Sequence, residues 1–390
     1  MRTTPHSPKR RRMLRAAAAS VAIPAFPTIA AIASTQAFSK EQTVTMKPSS
    51  NYLPVRSEWL ASGTEAALEP DLPIIDAHHH FYDRPGWTYL LDEYLADAQS
   101  GHNITASVFM QGLTHYRQSG PDALRPVGET EYVTASTAPM QSGKPQVAKG
   151  IVGYADLRRG AAVRDVLEAH LQAAGGRFRG VRHLVTWDPD QSLVNPLSAV
   201  PGGLLLDPDY RAGVAQLGAL GLSYDAWLFF PQLPELFDLA KAYPDTPIII
   251  NHCGGVVRIA SYADHRKEVF ENWSRSMRQL AQLPNVYVKV GGLGMRINGF
   301  DFEKGERPPS SMQLAQAWKP WMHTCIEAFG ANRCMFESNF PVDKGSYPYS
   351  NGWNAFKRLT AQASAEERDA LFRGTVSSVY RLGATANVSG

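Results

Sequence analysis

Cysteine is scarce in this chain. Three residues, Cys253, Cys325 and Cys334, in a length of 390 are too few and too odd in number for a disulfide framework. Buried free thiols are the expectation, with a Cys325–Cys334 bridge as the alternative in an exported protein. A dominant charge is absent too: 39 Lys and Arg against 36 Asp and Glu leave a net +3. Part of that excess sits in Lys9-Arg10-Arg11-Arg12 and Arg15, so a basic surface for nucleic acid is not indicated. Long apolar runs are lacking beyond the N-terminus, so no membrane span is expected after processing. No sequence repeat is visible. What remains, 44% hydrophobic and 19% charged, is an ordinary globular balance.

The basic run has its own explanation. Arg10-Arg11-Arg12-Met13-Leu14-Arg15 follows the pattern read by the twin-arginine export machinery, and an Ala-rich apolar segment continues from Ala16 to Ala33. Pro24 and Pro27 interrupt that segment and make it a poor membrane helix. Small residues at Ala31 and Ala33, or Thr35 and Ala37, suit a signal peptidase. Residues 1–37 are therefore expected to be a twin-arginine signal and the mature protein periplasmic. A basic disordered tail is the bland alternative. Residues 38–73, polar and Pro-containing, read as a linker or an arm packed on the outside.

From Ile74 short apolar runs alternate with helical patterns. The runs are Ile74–His80, Ile104–Met110, Ile151–Asp156, Gly180–Thr186, Leu222–Trp227, Pro247–His252, Val286–Val290 and Cys334–Ser338. Between them Val163, Val166, Leu167, His170 and Leu171 share one helical face, as do Trp318, Trp321, Met322, Cys325, Ile326 and Phe329. Asp207-Pro208 has the chemistry of a helix start. Eight strand–helix units fit an α/β fold of the (β/α)8 TIM barrel type over residues 74–383. Helix-to-strand connections are short, whereas several strand-to-helix connections, such as Gln111–Pro126 and Gly291–Ser311, are long. In a barrel the long loops gather at the C-terminal face and wall the active site.

Chemistry concentrates at that face. Ile74-Ile75-Asp76-Ala77-His78-His79-His80 ends an apolar strand with a His-x-His pair. Strand alternation puts Asp76, His78 and His80 on one side, and Ala77 and His79 on the other. Two imidazoles so spaced can meet a metal ion or one polarised oxygen. His252 ends the sixth run and adds a third ring. Arg117, Arg182, Arg258, Arg296 and Lys289 all lie on or just after the C-terminal half of a strand. One or two of them are expected to clamp a substrate carboxylate. Arg182 and His183 have opposite parity, so at most one faces the interior.

These residues resemble a family. Ile75-Asp76-Ala77-His78-His79-His80-Phe81, Gly180-Val181-Arg182-His183, Ile249-Ile250-Asn251-His252-Cys253-Gly254-Gly255 and the segment ending Phe340-Pro341 are similar to the amidohydrolase-related group of the amidohydrolase superfamily, particularly sugar-acid and dicarboxylate lactonases. The resemblance implies water attack on a small-molecule, anionic lactone or related carbonyl. His78, His80 and His252 would polarise that carbonyl, holding one divalent metal such as zinc or acting without a metal. It also implies a strand-eight Asp as base, but Asn339 stands there, with Glu337 two residues earlier. Asn cannot act as a base near neutrality. Glu337 is then either the replacement or half of an ion pair with Lys289 or an Arg. The fifth run carries Tyr224 and Asp225 where many metal-binding members have His. His183, Tyr224, Arg258 and Lys289 join Arg182 as expected substrate contacts. A metal-dependent non-oxidative decarboxylase and an exported binding protein without catalysis are the rival readings.

Overall fold

A computed structural model describes residues 52–142, 145–195 and 198–383. The expected signal peptide and its cleavage site lie outside those residues. Eight parallel strands follow one another in sequence order around a single sheet. They are β1 (Pro73–His79), β2 (Asn103–Met110), β3 (Gln146–Gly153), β4 (Phe178–Leu184), β5 (Ser223–Trp227), β6 (Ile248–Ile250), β7 (Val286–Val290) and β8 (Cys334–Phe336). The seam between β8 and β1 is tied beyond the end of β8: the His80 amide donates to Phe340 O, and the Asn339 amide to His78 O, each at 2.9 Å. The result is a nearly closed α/β barrel of the TIM type.

A helix follows each strand, because each intervening stretch buries one apolar stripe against the sheet. Pro208–Ala219 starts as the sequence predicts, with Asp207 accepting from the Tyr210 amide at 2.9 Å. Two apolar layers result. One lies between strands and helices and contains Trp273, Trp318 and Trp353. The other fills the barrel interior with Ile75, Ala77, Val108, Met110, Ile249 and Met335. Tyr380, near the C-terminus, packs into that interior layer and donates to Asp225 at 2.7 Å. All three cysteines are buried and unbridged.

Two boundaries moved for physical reasons. β3 begins at Gln146 rather than Ile151, because Val147 and Ala148 are also buried. β1 breaks strict alternation through a register shift between Asp76 and His79, the mark of a bulge. Ala77 therefore joins the interior layer, while Asp76 turns to the helices. Its Oδ2 accepts from Tyr94 and Tyr349 hydroxyls at 3.3 and 3.1 Å, and from Ser338 Oγ at 2.7 Å. The expected grouping of Asp76 with His78 and His80 is thus corrected, whereas His79 does point outward, stacked on Tyr94 at 3.9 Å.

The segment from Tyr52 to Leu72 is an arm on the outside. Asn351 and Asn354, on the helix Tyr349–Leu359, accept from the backbone amides of Glu65 and Leu68 at 2.9 and 2.7 Å. Lys357 donates to Leu68 O and Glu69 O. Asn351, Asn354 and Lys357 are themselves buried in the domain.

Candidate active site

The C-terminal ends of the strands surround a cavity of about 80 Å³. His80, Arg182, His252 and Asn339 line its polar end. Immediately around them lie His78, Glu337, Lys289 and Asp225, all fully buried.

Glu337 organises the imidazoles. Its Oε1 accepts from the His252 amide at 3.1 Å and from His252 Nδ1 at 2.8 Å. Its Oε2 stands 3.0 Å from His78 Nδ1. A carboxylate can only accept, so His252 Nδ1 carries the proton. His78 Nδ1 also lies 3.3 Å from Lys289 Nζ, and it is the Arg182 donation to His78 Nε2 at 3.0 Å that leaves the proton of that ring on Nδ1. His80 Nδ1 faces the carbonyls of Met110 and Gln111 at 3.0 and 3.1 Å, so it donates as well. All three rings therefore present Nε2 as a lone pair. Burial first holds His78 and His80 well below the usual imidazole range, reinforced by Lys289 for His78 and by Arg182 for His80. Burial also lowers His252, against the opposing pull of Glu337.

One consequence is specific. His78 Nε2 and His80 Nε2 lie 3.1 Å apart with no proton to share, an arrangement that calls for a positive group. Arg182 Nη1 supplies one, donating to His78 Nε2 at 3.0 Å, while its Nη2 donates to Gln111 Oε1 at 2.8 Å. A divalent ion suits the same donors. His78, His252 and Glu337 have ligand atoms within 4.8 Å of one another, although Glu337 Oε1 is already engaged by His252. The Nε2 of His78 is taken by Arg182, so a metal on the expected set of His78, His80 and His252 would have to displace that guanidinium, with Glu337 orienting the rings behind.

The local backbone aims these groups. His252 and Cys253 are left-handed, at φ 53° and 52°, a conformation uncommon for non-glycine residues and concentrated at functional sites. Gly292 leaves room for the ring, since a Cβ there would fall 2.3 Å from His252 Nδ1. Asn339 is left-handed too, at φ 54°. Its amide donates to Asp343 Oδ1 at 2.8 Å, leaving Oδ1 without a partner.

The other expected contacts divide sharply. Arg182 faces the interior and lines the cavity. His183 therefore points outward, its Nδ1 accepting from the Leu157 amide at 3.3 Å. Tyr224 is outward as well, with its hydroxyl 2.9 Å from Tyr210. Arg258 stacks over Phe300 at 4.5 Å and lines no part of the cavity. Lys289 is interior but bound to Asp225 at 2.8 Å, below the imidazoles. Arg117 pairs with the half-exposed Glu131. The alternative of a Glu337 ion pair with Lys289 or an Arg is not what forms: Glu337 faces His252 and His78, and Lys289 pairs with Asp225. Reasoning from sequence also missed Tyr52, Tyr82, Arg84, Gln111, Trp227 and Phe229 on the cavity wall. Tyr82 and Arg84 could have been found by continuing the even-numbered alternation from His80. Tyr52, far from any strand, offered no such clue.

Under the cavity loop, Glu129 accepts from the Gly112 and Thr114 amides at 2.9 Å each, while its Oε2 has no partner. Burial pushes its carboxyl up to about 7. The folded protein then holds this proton more tightly than the unfolded chain. The penalty is absent below the ordinary Glu value, grows as pH rises, and is complete above about 7. Glu129→Gln keeps the accepting oxygen and cannot ionise. Its thermal midpoint is expected to exceed wild type at pH 8, by up to roughly 3 kcal/mol of stability, and to match it near pH 4.5. Equal differences at both pH values, measured by thermal unfolding, would contradict this.

Comparison with known proteins adds four findings. A family described as Amidohydrolase is matched over residues 75–382. The uncharacterised protein y4mH of Sinorhizobium fredii is 34% identical over 334 residues, 85% of this chain and 94% of its own. An L-fucono-1,5-lactonase of Burkholderia multivorans is 27% identical over 323 residues, 79% of this chain and 96% of its own. Among solved structures, an amidohydrolase from Burkholderia multivorans crystallised with bound zinc superposes with a TM-score of 0.61 at 24% identity. That likeness covers 79% of this chain and 99% of that one, and it concerns the fold.

Proposed function

From the premise that this chain is a hydrolase belonging to the amidohydrolase family, we propose that it is a lactonase. The observation that carries the reading is the His252–Glu337 hydrogen bond at 2.8 Å, which leaves a neutral Nε2 on a cavity-lining ring opposite the Arg182 guanidinium. A base oriented by a carboxylate beside a fixed positive group is what ester hydrolysis requires. The lactonase named among the relatives supports the same bond type.

The steps follow from the tautomers. The carbonyl oxygen of the lactone takes its place near Arg182, whose charge stabilises the developing oxyanion. His252 Nε2 accepts a proton from water as the water oxygen bonds to the carbonyl carbon. The ring C–O bond then breaks, and the departing alkoxide takes the proton back from His252. The product is an open-chain hydroxy acid, and Glu337 keeps its charge throughout. A divalent metal held by His78, His80 and His252 in place of the Arg182 contact would supply Lewis-acid polarisation of the same carbonyl, and His252 would then be a ligand instead of the base. Asn339 keeps an open acceptor at the cavity but no longer serves as the base.

An anionic substrate remains part of this reading. Of the five cations expected to clamp a carboxylate, Arg182 alone lines the cavity, and Arg84 joins it. The twin-arginine motif supports a periplasmic setting. The test is lactone ring opening, followed by proton release on purified protein, with metal content measured by elemental analysis. Hydrolysis well above the spontaneous rate is expected. Arg182→Ala should lower kcat and raise KM together, because that guanidinium also holds His78, whereas Arg258→Ala should keep wild-type KM. No ring opening by the wild-type protein, with or without added zinc, would remove the proposal.

A further inference from the structure

The walls of the cavity differ from its polar end. Tyr82 follows β1 on a short hairpin, Tyr82–Arg84 with Trp87–Tyr89, and Tyr52 of the arm stands beside it. Trp227 and Phe229 come from the end of β5, which in the eight-strand order lies across the barrel from β1. Aromatic residues thus contribute to the cavity from opposite sides.

The rings are held in place. Tyr82 stacks on His80 at 5.3 Å and 10°, meets the Trp87 edge at 4.7 Å, and lies under the Arg84 guanidinium at 4.1 Å. Trp227 packs edge-on against His252 at 4.7 Å. Aliphatic side chains, among them Leu113, Leu184 and Met295, fill the spaces between. Among the described residues no Asp or Glu lines the cavity. Three buried polar atoms on its lining residues lack partners: Gln111 Nε2, Arg182 Nε and Asn339 Oδ1.

We infer that the substrate is a lactone with an aryl or alkyl body, presented to the imidazoles between aromatic walls, and not a polyhydroxylated sugar lactone. The inference rests on the lactonase reading and deepens it. A sugar lactone brings several hydroxyls, each of which needs a partner once buried. Two free donors and one acceptor suit the ester group and one polar substituent, fewer than the hydroxyls of a sugar lactone. Rigid rings facing one another favour a flat or apolar body, and binding it needs little ordering of the wall.

The experiment compares neutral lactones, so that charge is constant: 3,4-dihydrocoumarin, δ-decalactone and D-glucono-1,5-lactone. Values of kcat/KM for the first two are expected to exceed the third by at least tenfold, within the roughly hundredfold by which an apolar pocket rejects an added hydroxyl. Tyr52→Ala, at the rim and outside the catalytic groups, should raise KM for dihydrocoumarin about fivefold and leave the sugar lactone unchanged. Equal or better hydrolysis of the sugar lactone overturns the inference and leaves the lactonase standing. If none of the three is opened, the lactonase reading is left to carboxylated lactones, and calorimetric binding of two lactams decides the pocket's preference. Tighter binding of 3,4-dihydro-2-quinolinone than of gluconolactam, by tenfold or more, sustains it. The reverse order, equal affinity, or no binding of either overturns it.

Discussion

Replacing His78 and His80 together with alanine is expected to lower kcat/KM for lactone hydrolysis by about four orders of magnitude. The two Nε2 lone pairs, 3.1 Å apart, are where a positive group must sit. Arg182 reaches the site through one of them. Without both rings, Arg182 loses its partner at His78, and a metal loses two of its three best donors. The fold should survive, because the barrel is held by the interior aliphatic layer and by the tie between β1 and the segment after β8, which uses backbone groups. Far-ultraviolet circular dichroism close to wild type, alongside abolished turnover, is the expected pair of results. Retained turnover in the folded double variant would sink the assignment of these rings to the reaction.

Glu337→Gln should cost nearly as much by a different route. Glu337 receives Nδ1–H from His252 at 2.8 Å and faces His78 Nδ1 at 3.0 Å. A glutamine has one accepting oxygen, and its NH2 group can only donate. One of the two rings must then turn or change tautomer, and its Nε2 becomes a donor where an acceptor is required. A loss of about a thousandfold, carried mainly by kcat, follows for a base with the wrong tautomer. Zinc affinity should fall by roughly 10- to 100-fold, as for other groups that orient metal-binding His. Side-chain volume is unchanged, so the structure has little reason to collapse. Wild-type kcat in this variant would mean that Glu337 is only a buried structural acid.

The corrected residues explain where sequence reasoning stopped. Parity showed that Arg182 and His183 face opposite ways, but period two has no absolute phase. The neighbours decide it: His183 fits among Tyr154, Tyr210 and the Leu157 amide, which leaves Arg182 inward. The phase of β5 was fixed in the same way, with Asp225 turned to Lys289 and Tyr224 to Tyr210. Arg258 illustrates another limit. A guanidinium can satisfy itself on an aromatic face such as Phe300, and no local pattern announces that.

Local spacing was enough for the eight strand–helix units, the Asp207 cap, the long loops at one end, and the gathering of His78, His80 and His252 there. Each depends on periodicity or on backbone chemistry within a few residues, and both are written along the chain. Tertiary structure alone decided the bulge that turns Asp76 outward, the bridging of two rings by Glu337, the Lys289–Asp225 pair and the placing of Tyr52 on the cavity wall. Those contacts join residues tens to hundreds of positions apart, as with His252 and Glu337, 85 residues apart. Their energies depend on burial and on which hydrogen-bonding groups remain free, quantities that exist only once the barrel has closed.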